Sequence, residues 1–206
     1  TFKDLSNVFE IATFHKHFTE DAPQGEHGTA ILYNPAKMEM IAAGGYRTDR
    51  PVYRYAAWAD LRDLESGRVL RAISVHLKGY NPYEEEIPIK RADQVNGDSE
   101  LSHYLDTALA DLDGIDGVTV MGDFNEDAQE MKARGETSRQ AQLINRGFIW
   151  DEVEDVTESR TSRKIDWIFY LDTATPKLTT LTHIEVIQDR AASDHAISAS
   201  LIVDLS

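Results

Sequence analysis

Three short stretches in the C-terminal half put side chains that can do chemistry at the ends of apolar runs. They are Gly122-Asp123-Phe124-Asn125, Lys164-Ile165-Asp166-Trp167 and Ser193-Asp194-His195. Asp123 and Asn125 offer a carboxylate and an amide oxygen two residues apart, and in an extended segment the two point the same way. Hard oxygen donors of this kind suit Mg²⁺ or Mn²⁺ and its bound water. A plain Asx turn draws on the same residues, since Asp and Asn favour turns. Asp194 can bind a metal ion, and His195, with an unperturbed pKa of about 6.5, can act as general acid or base. An exposed histidine at a strand start is the competing reading. Asp166 sits among apolar residues in a strand-like run, where a carboxylate is costly to bury unless it is paired. His195 is one candidate partner, and an Asp–His pair is an arrangement that activates water. Lys164 and Arg163 are the others. His76 lies where Ile73, Val75 and Leu77 alternate with Ser74, His76 and Lys78. A phosphate-contacting face and a solvated strand face both explain that pattern.

These residues need strands to carry them. Strand-like runs cover 8–14, 28–33, 38–43, 53–61, 70–77, 118–121, 165–170, 178–187 and 196–203, with a hairpin turn at Glu65-Ser66-Gly67. A helix is expected over 100–112. Leu101, Tyr104, Leu105, Ala108 and Leu112 share one face, Asp98 or Ser99 caps the start, and Gly114 lies past the end. A second helix is expected over 137–145, with Ala141 and Ile144 inward and Gly147 after the stop. Residues 81–98, with two prolines and Glu84-Glu85-Glu86, read as the longest irregular piece. The order predicts a mixed α/β fold with much antiparallel pairing rather than a regular βαβ repeat.

With 206 residues, 41% of them hydrophobic, the chain can bury the core of a single domain spanning 1–206. The absence of cysteine excludes a disulfide framework and any Cys-bearing zinc site. A net charge of −15 argues against broad electrostatic capture of nucleic acid, so a phosphodiester would need a metal or a local basic patch. Arg160, Arg163 and Lys164 form one such cluster, which could equally offset nearby acids. No run reaches the length of a membrane span and no signal peptide opens the chain; cytoplasmic and secreted locations both fit. Thr1 stands without an initiator Met, which leads us to expect further residues upstream.

In their order, the runs 28–34, 49–58, 73–78, 120–125, 164–169 and 193–201 resemble the endonuclease/exonuclease/phosphatase superfamily, also called deoxyribonuclease-I-like. The resemblance reaches from Gly28 to the C-terminus. It implies a four-layer α/β sandwich, two packed mixed β-sheets with outer helices. It implies that His76 contacts the scissile phosphate, that Asp123 and Asn125 position water and phosphate, and that Asp123 and Asp194 lie at the metal. His195, oriented by Asp166, would polarise the water, and Arg50 and Lys78 would hold phosphoryl oxygens. The implied cofactor is Mg²⁺, with Mn²⁺ or Ca²⁺ as alternatives. The implied reaction is metal-dependent phosphodiester hydrolysis, with DNA or RNA as the leading substrate. A phosphatase, a lipid phosphodiesterase of phosphoinositide or sphingomyelin type, and a non-catalytic binding protein are the alternatives. One departure stands out. Members begin with an Asn-ended strand, a helix, and a strand ending in Gln-Glu whose Glu is a principal Mg²⁺ ligand. Neither element is found, and Glu10 lacks that setting, so the domain reads as N-terminally incomplete. His15 and His17 alternate in an early strand, as a metal-binding pair or as part of a partly exposed strand face.

Overall fold

Alternating apolar runs become ten strands and three α-helices among the described residues of the computed structural model, which are 8–16, 28–47, 54–79, 87–150, 164–173, 179–187 and 197–204. Six strands form one mixed sheet in the order β3 (Met38–Tyr46), β4 (Ala56–Asp63), β5 (Val69–His76), β6 (Gly117–Asp123), β8 (Asp166–Asp172) and β7 (Ile149–Trp150). A hairpin of β1 (Glu10–Lys16) and β2 (Gly28–Tyr33) packs over β3, β4 and β5. A second hairpin, β9 (Thr179–Ile187) with β10 (Ile197–Asp204), approaches β7 and β8.

Within the large sheet β5 and β6 pair in parallel, while the other neighbours run antiparallel. A parallel pair needs a long crossover, and α1 (Ile87–Leu109) supplies it. The helix begins well before the predicted 100, inside the stretch read as irregular. Pro88 is its second residue, a place where a missing N–H costs nothing. The far end is closed from the sheet: Arg71 Nη1 donates to Ala108 O at 2.7 Å and Asp111 O at 2.8 Å, satisfying carbonyls the helix cannot. Arg71 is itself held by both oxygens of Asp60 on β4, at 2.8 and 2.9 Å.

Period-two alternation gives the large sheet two buried faces. Ile73, Val75, Val118, Val120, Trp167 and Phe169 face Leu101, Tyr104, Leu105 and Ala108 of α1. Ala57, Ala59, Leu61 and Ala72 face Ile31 of the β1–β2 hairpin. Helices outside, a mixed sheet, and a second β layer facing it make the arrangement of a four-layer α/β sandwich. The predicted 137–145 helix is present as α3 (Arg139–Ile144), and an unpredicted short helix, α2 (Ala128–Arg134), precedes it through a 3₁₀ turn at Gly135–Thr137. In α3 the inward side chains are Leu143 and Arg139, not Ile144, which is 45% exposed. The start is set by Ser138, whose hydroxyl accepts from Ala141 N.

Candidate active site

Register decides what the sheet rim carries. His76 is the partner of Asp123 across the parallel β5–β6 pair, and Asp123 is the partner of Asp166 across the antiparallel β6–β8 pair. Because Val75, Val120 and Trp167 point to the helices, parity sends His76, Asp123 and Asp166 to the opposite face. The three therefore stand in one row on three adjacent strands. They line a cleft of about 250 Å³ whose other wall is Gly28, Thr29 and Ala30 of β2. His76 Nε2 lies 3.4 Å from Asp123 Oδ2. A hollow of about 370 Å³ beside Lys37 is larger but has no such chemistry. The carboxylate there, Asp63, accepts from Ser66 N and Oγ and Glu65 N, which hold it below the usual carboxylate range.

The segment after β6 is not extended, contrary to expectation. Gly122 has φ +124° and Asn125 has φ +50°, so the chain folds back on Asp123. Asp123 Oδ1 accepts from Asn125 N at 2.7 Å, and Oδ2 accepts from Asn125 Nδ2 at 3.2 Å. Asn125 Nδ2 also donates to Leu77 O at 2.9 Å, which fixes the amide's orientation because both partners are acceptors. The Asx turn and the polar cluster, posed as rival readings, are one object. Asn125 here holds the Asp123 carboxylate and ties it to the end of β5.

Beneath the row lies a buried polar layer that no sequence motif announced. Arg139 is 1% exposed. Its guanidinium donates to Phe124 O, to Lys78 O at 2.5 Å and to Asp98 Oδ1 at 2.9 Å. Glu126, also 1% exposed, accepts from Arg139 N at 2.7 Å and pairs with Arg134, while its carbonyl accepts from Trp167 Nε1 at 2.9 Å. Burial raises the Glu126 pKa, and the Arg134 and Arg139 charges pull it back. On the β5 side, Arg54 Nη1 donates to His76 O and Leu77 O, both at 3.1 Å, and Tyr104 donates its hydroxyl to Arg54 O. Glu100, fully buried on α1, has its pKa raised by desolvation against the opposing charges of Arg54 and Lys78.

A sheet with a polar row at its rim and helices behind it can be set against solved structures. The human Nocturnin catalytic domain with bound sulfate aligns at a TM-score of 0.62 and 17% identity, covering 98% of this chain and 76% of that one. A mannosyl-6-phosphatase of Bacteroides thetaiotaomicron aligns at 0.61 and 14%, covering 98% and 80%. A functionally unknown conserved protein of Enterococcus faecalis aligns at 0.64 and 16%, again covering 98% and 80%. Two Bacteroides proteins described as endonuclease/exonuclease/phosphatase match over nearly the whole chain as well. The chain has the endonuclease/exonuclease/phosphatase fold. No family profile and no curated protein matches it in sequence.

On this deoxyribonuclease-I-like fold, four of the sequence-derived site residues, His76, Asp123, Asn125 and Asp166, converge at one end of β5, β6 and β8. Lys78 follows on the same chain exit, its backbone carbonyl bound by Arg139. Arg50, Asp194 and His195 lie outside the described residues, as do Arg160, Arg163 and His17. Lys164 is 5% exposed with its ammonium 4.4 Å from the centre of the Trp167 ring, so it is packed into the fold rather than presented to a nucleic-acid backbone. His15 stacks on Tyr55 and lies 2.9 Å from Thr13 Oγ1. Among the described residues no three His, Asp or Glu side chains gather in a way that could hold a metal ion. The oxygen donors of Asp123 and Asp166 nonetheless fit a hard divalent cation in kind.

Proposed function

We propose that the protein hydrolyses phosphodiesters with the help of a divalent cation, with nucleic acid as the substrate. The observation that carries this reading is the row of His76, Asp123 and Asp166 along one cleft wall. Like charges at directly opposite positions of a sheet repel, and a bound divalent cation or an imidazolium would offset that repulsion. Neutralising such a pair while offering an imidazole to an oxyanion is what phosphoryl chemistry asks of a site. In this reading His76 contacts the phosphate, Asp123 orients and deprotonates the attacking water, and Asn125 fixes Asp123. Asp166 orients His195, and Arg50 and Lys78 steady the phosphoryl oxygens. Mg²⁺ at Asp123 and Asp194, when bound, would supply charge neutralisation at the phosphate and its leaving oxygen. Two matched proteins support a phosphoryl substrate by their descriptions: the mannosyl-6-phosphatase, and ANGEL2, a 2′,3′-cyclic phosphatase seen with adenosine-2′,3′-vanadate. The cleft, at about 250 Å³, is the size for a phosphoryl group and its immediate substituents, leaving the rest of the substrate outside.

The test is hydrolysis of bis-p-nitrophenyl phosphate, plasmid DNA, RNA, a phosphoinositide and sphingomyelin, with Mg²⁺ and with EDTA. Turnover in Mg²⁺ that EDTA abolishes is expected, together with a loss of about 10²-fold or more in His76→Ala. Activity indifferent to both EDTA and the substitution would remove this reading. Preference for a lipid or a phosphomonoester would keep the chemistry and reassign the substrate.

A further inference from the structure

The row at the rim is only as well placed as the three strand ends that carry it. The ladder bonds between those ends stop at Leu77 N to Asp123 O and Phe124 N to Ile165 O. Beyond that point Asn125 and Arg54 hold Leu77 O, and a buried node reaches further along both exits. The Arg139 guanidinium takes the carbonyl of Lys78, two residues after His76, and the carbonyl of Phe124, between Asp123 and Asn125. The Arg139 backbone N–H meets Glu126, whose carbonyl accepts from the indole of Trp167, next to Asp166. Asp98 supplies Arg139 with a counter-charge at 2.9 Å and Arg134 with one at 2.6 Å. A guanidinium suits this position because its planar fork can serve several acceptors in fixed directions, which an ammonium cannot. Room for it is made by Gly97 on α1, where a Cβ would run into Arg139 Nη2 and Lys78 O.

We propose that Arg139 is the positioning residue of the site, locking the exits of β5 and β6 to one another so that His76 and Asp123 keep their mutual geometry. The inference rests on the phosphoesterase reading for its kinetic consequence, though not for its structural one. Arg139 touches no substrate; it acts through the backbone of Lys78 and Phe124. Displacements of about 1 Å at a reacting group can cost on the order of 10²-fold in rate, and supporting residues commonly matter by about 10- to 100-fold.

The experiment compares Arg139→Met, Arg139→Lys and Gly97→Ala with the wild-type chain by amide hydrogen exchange and by kinetics on bis-p-nitrophenyl phosphate. Exchange is expected to quicken at 76–79 and 122–126 in all three, with β3 and β4 unchanged. The kcat should fall about 10- to 100-fold, with KM within about twofold of the wild type. Arg139→Lys should not restore the rate, since an ammonium cannot bridge both carbonyls. Wild-type exchange in those segments, or exchange that quickens uniformly across the sheet, overturns the proposal; the second outcome makes Arg139 a general stabiliser. If the wild-type chain hydrolyses none of the substrates, the phosphoesterase reading falls, and the exchange comparison alone still decides whether Arg139 locks the strand ends.

Discussion

At Gly122 the backbone has φ +124°, and a Cβ would collide with the carbonyl of Val75 on the neighbouring strand. Both facts confine the position to glycine, because an L side chain is strained there whatever the space. Gly122→Ala should lower stability by roughly 2–3 kcal/mol, read as a shift in the urea midpoint at constant slope. An unchanged midpoint would show that the turn into Asp123 is not strained. The residues that bear chemistry by type, His76, Asp123, Asn125 and Asp166, were legible from their setting at the ends of apolar runs. Arg139, Glu126 and Asp98 were not, for a physical reason. Their significance comes from partners distant along the chain, 61 residues for Arg139 to Lys78 and 41 for Arg139 to Asp98, and no local pattern encodes that.

Helix α1 shows how an element can be half visible. Its C-terminal half has a clean apolar stripe, whereas Asn96-Gly97-Asp98 in the middle falls in the stretch read as irregular, with Asp98 read as a cap at the start. Gly97 costs the helix about 1 kcal/mol relative to Ala, and Asp98 is a poor interior residue for a helix. The structure keeps both because one lets the Arg139 guanidinium approach and the other neutralises it. Local signals therefore fail at this place because tertiary contacts outweigh them. The strands were legible in existence, and 28–33 matched to the residue, because strands covered on both faces read as short apolar runs bounded by turn residues. Two-residue β7 has no room for a period and left no trace. In α3 the corrected phase makes a sharp contrast available. Leu143→Ala should cost about 2–5 kcal/mol, as buried Leu truncations do, and Ile144→Ala should stay within about 0.5 kcal/mol. Equal effects in chemical denaturation would contradict the observed orientation of the helix.

Over the whole molecule the balance of charge is strongly acidic, at −15, yet the interior beneath the cleft gathers Arg54, Arg134 and Arg139 against Glu100, Glu126 and Asp98. Glu100 is the fully buried acid on α1 in this layer, and its pKa is raised above the ordinary 4.5 chiefly by desolvation. A raised value in the folded state means a contribution to stability that is present below about pH 4.5 and is lost as pH climbs through the folded value. Glu100→Gln removes that loss. The melting temperature of the variant should therefore gain on the wild type as pH rises from about 4.5 towards neutrality. Thermal melts across that range check it, and a constant difference would mean that Glu100 does not titrate on unfolding.

Strand β6 pairs in parallel with a strand that precedes it and antiparallel with one that follows it, and it carries the middle member of the polar row. Before this strand docks, the imidazole and the second carboxylate have nothing between them. A chain with every hairpin closed and its crossover laid down, but β6 still outside, would have no such row. Assembly of the polar row and completion of the sheet are then a single event, so partly assembled forms do not hold the row at all.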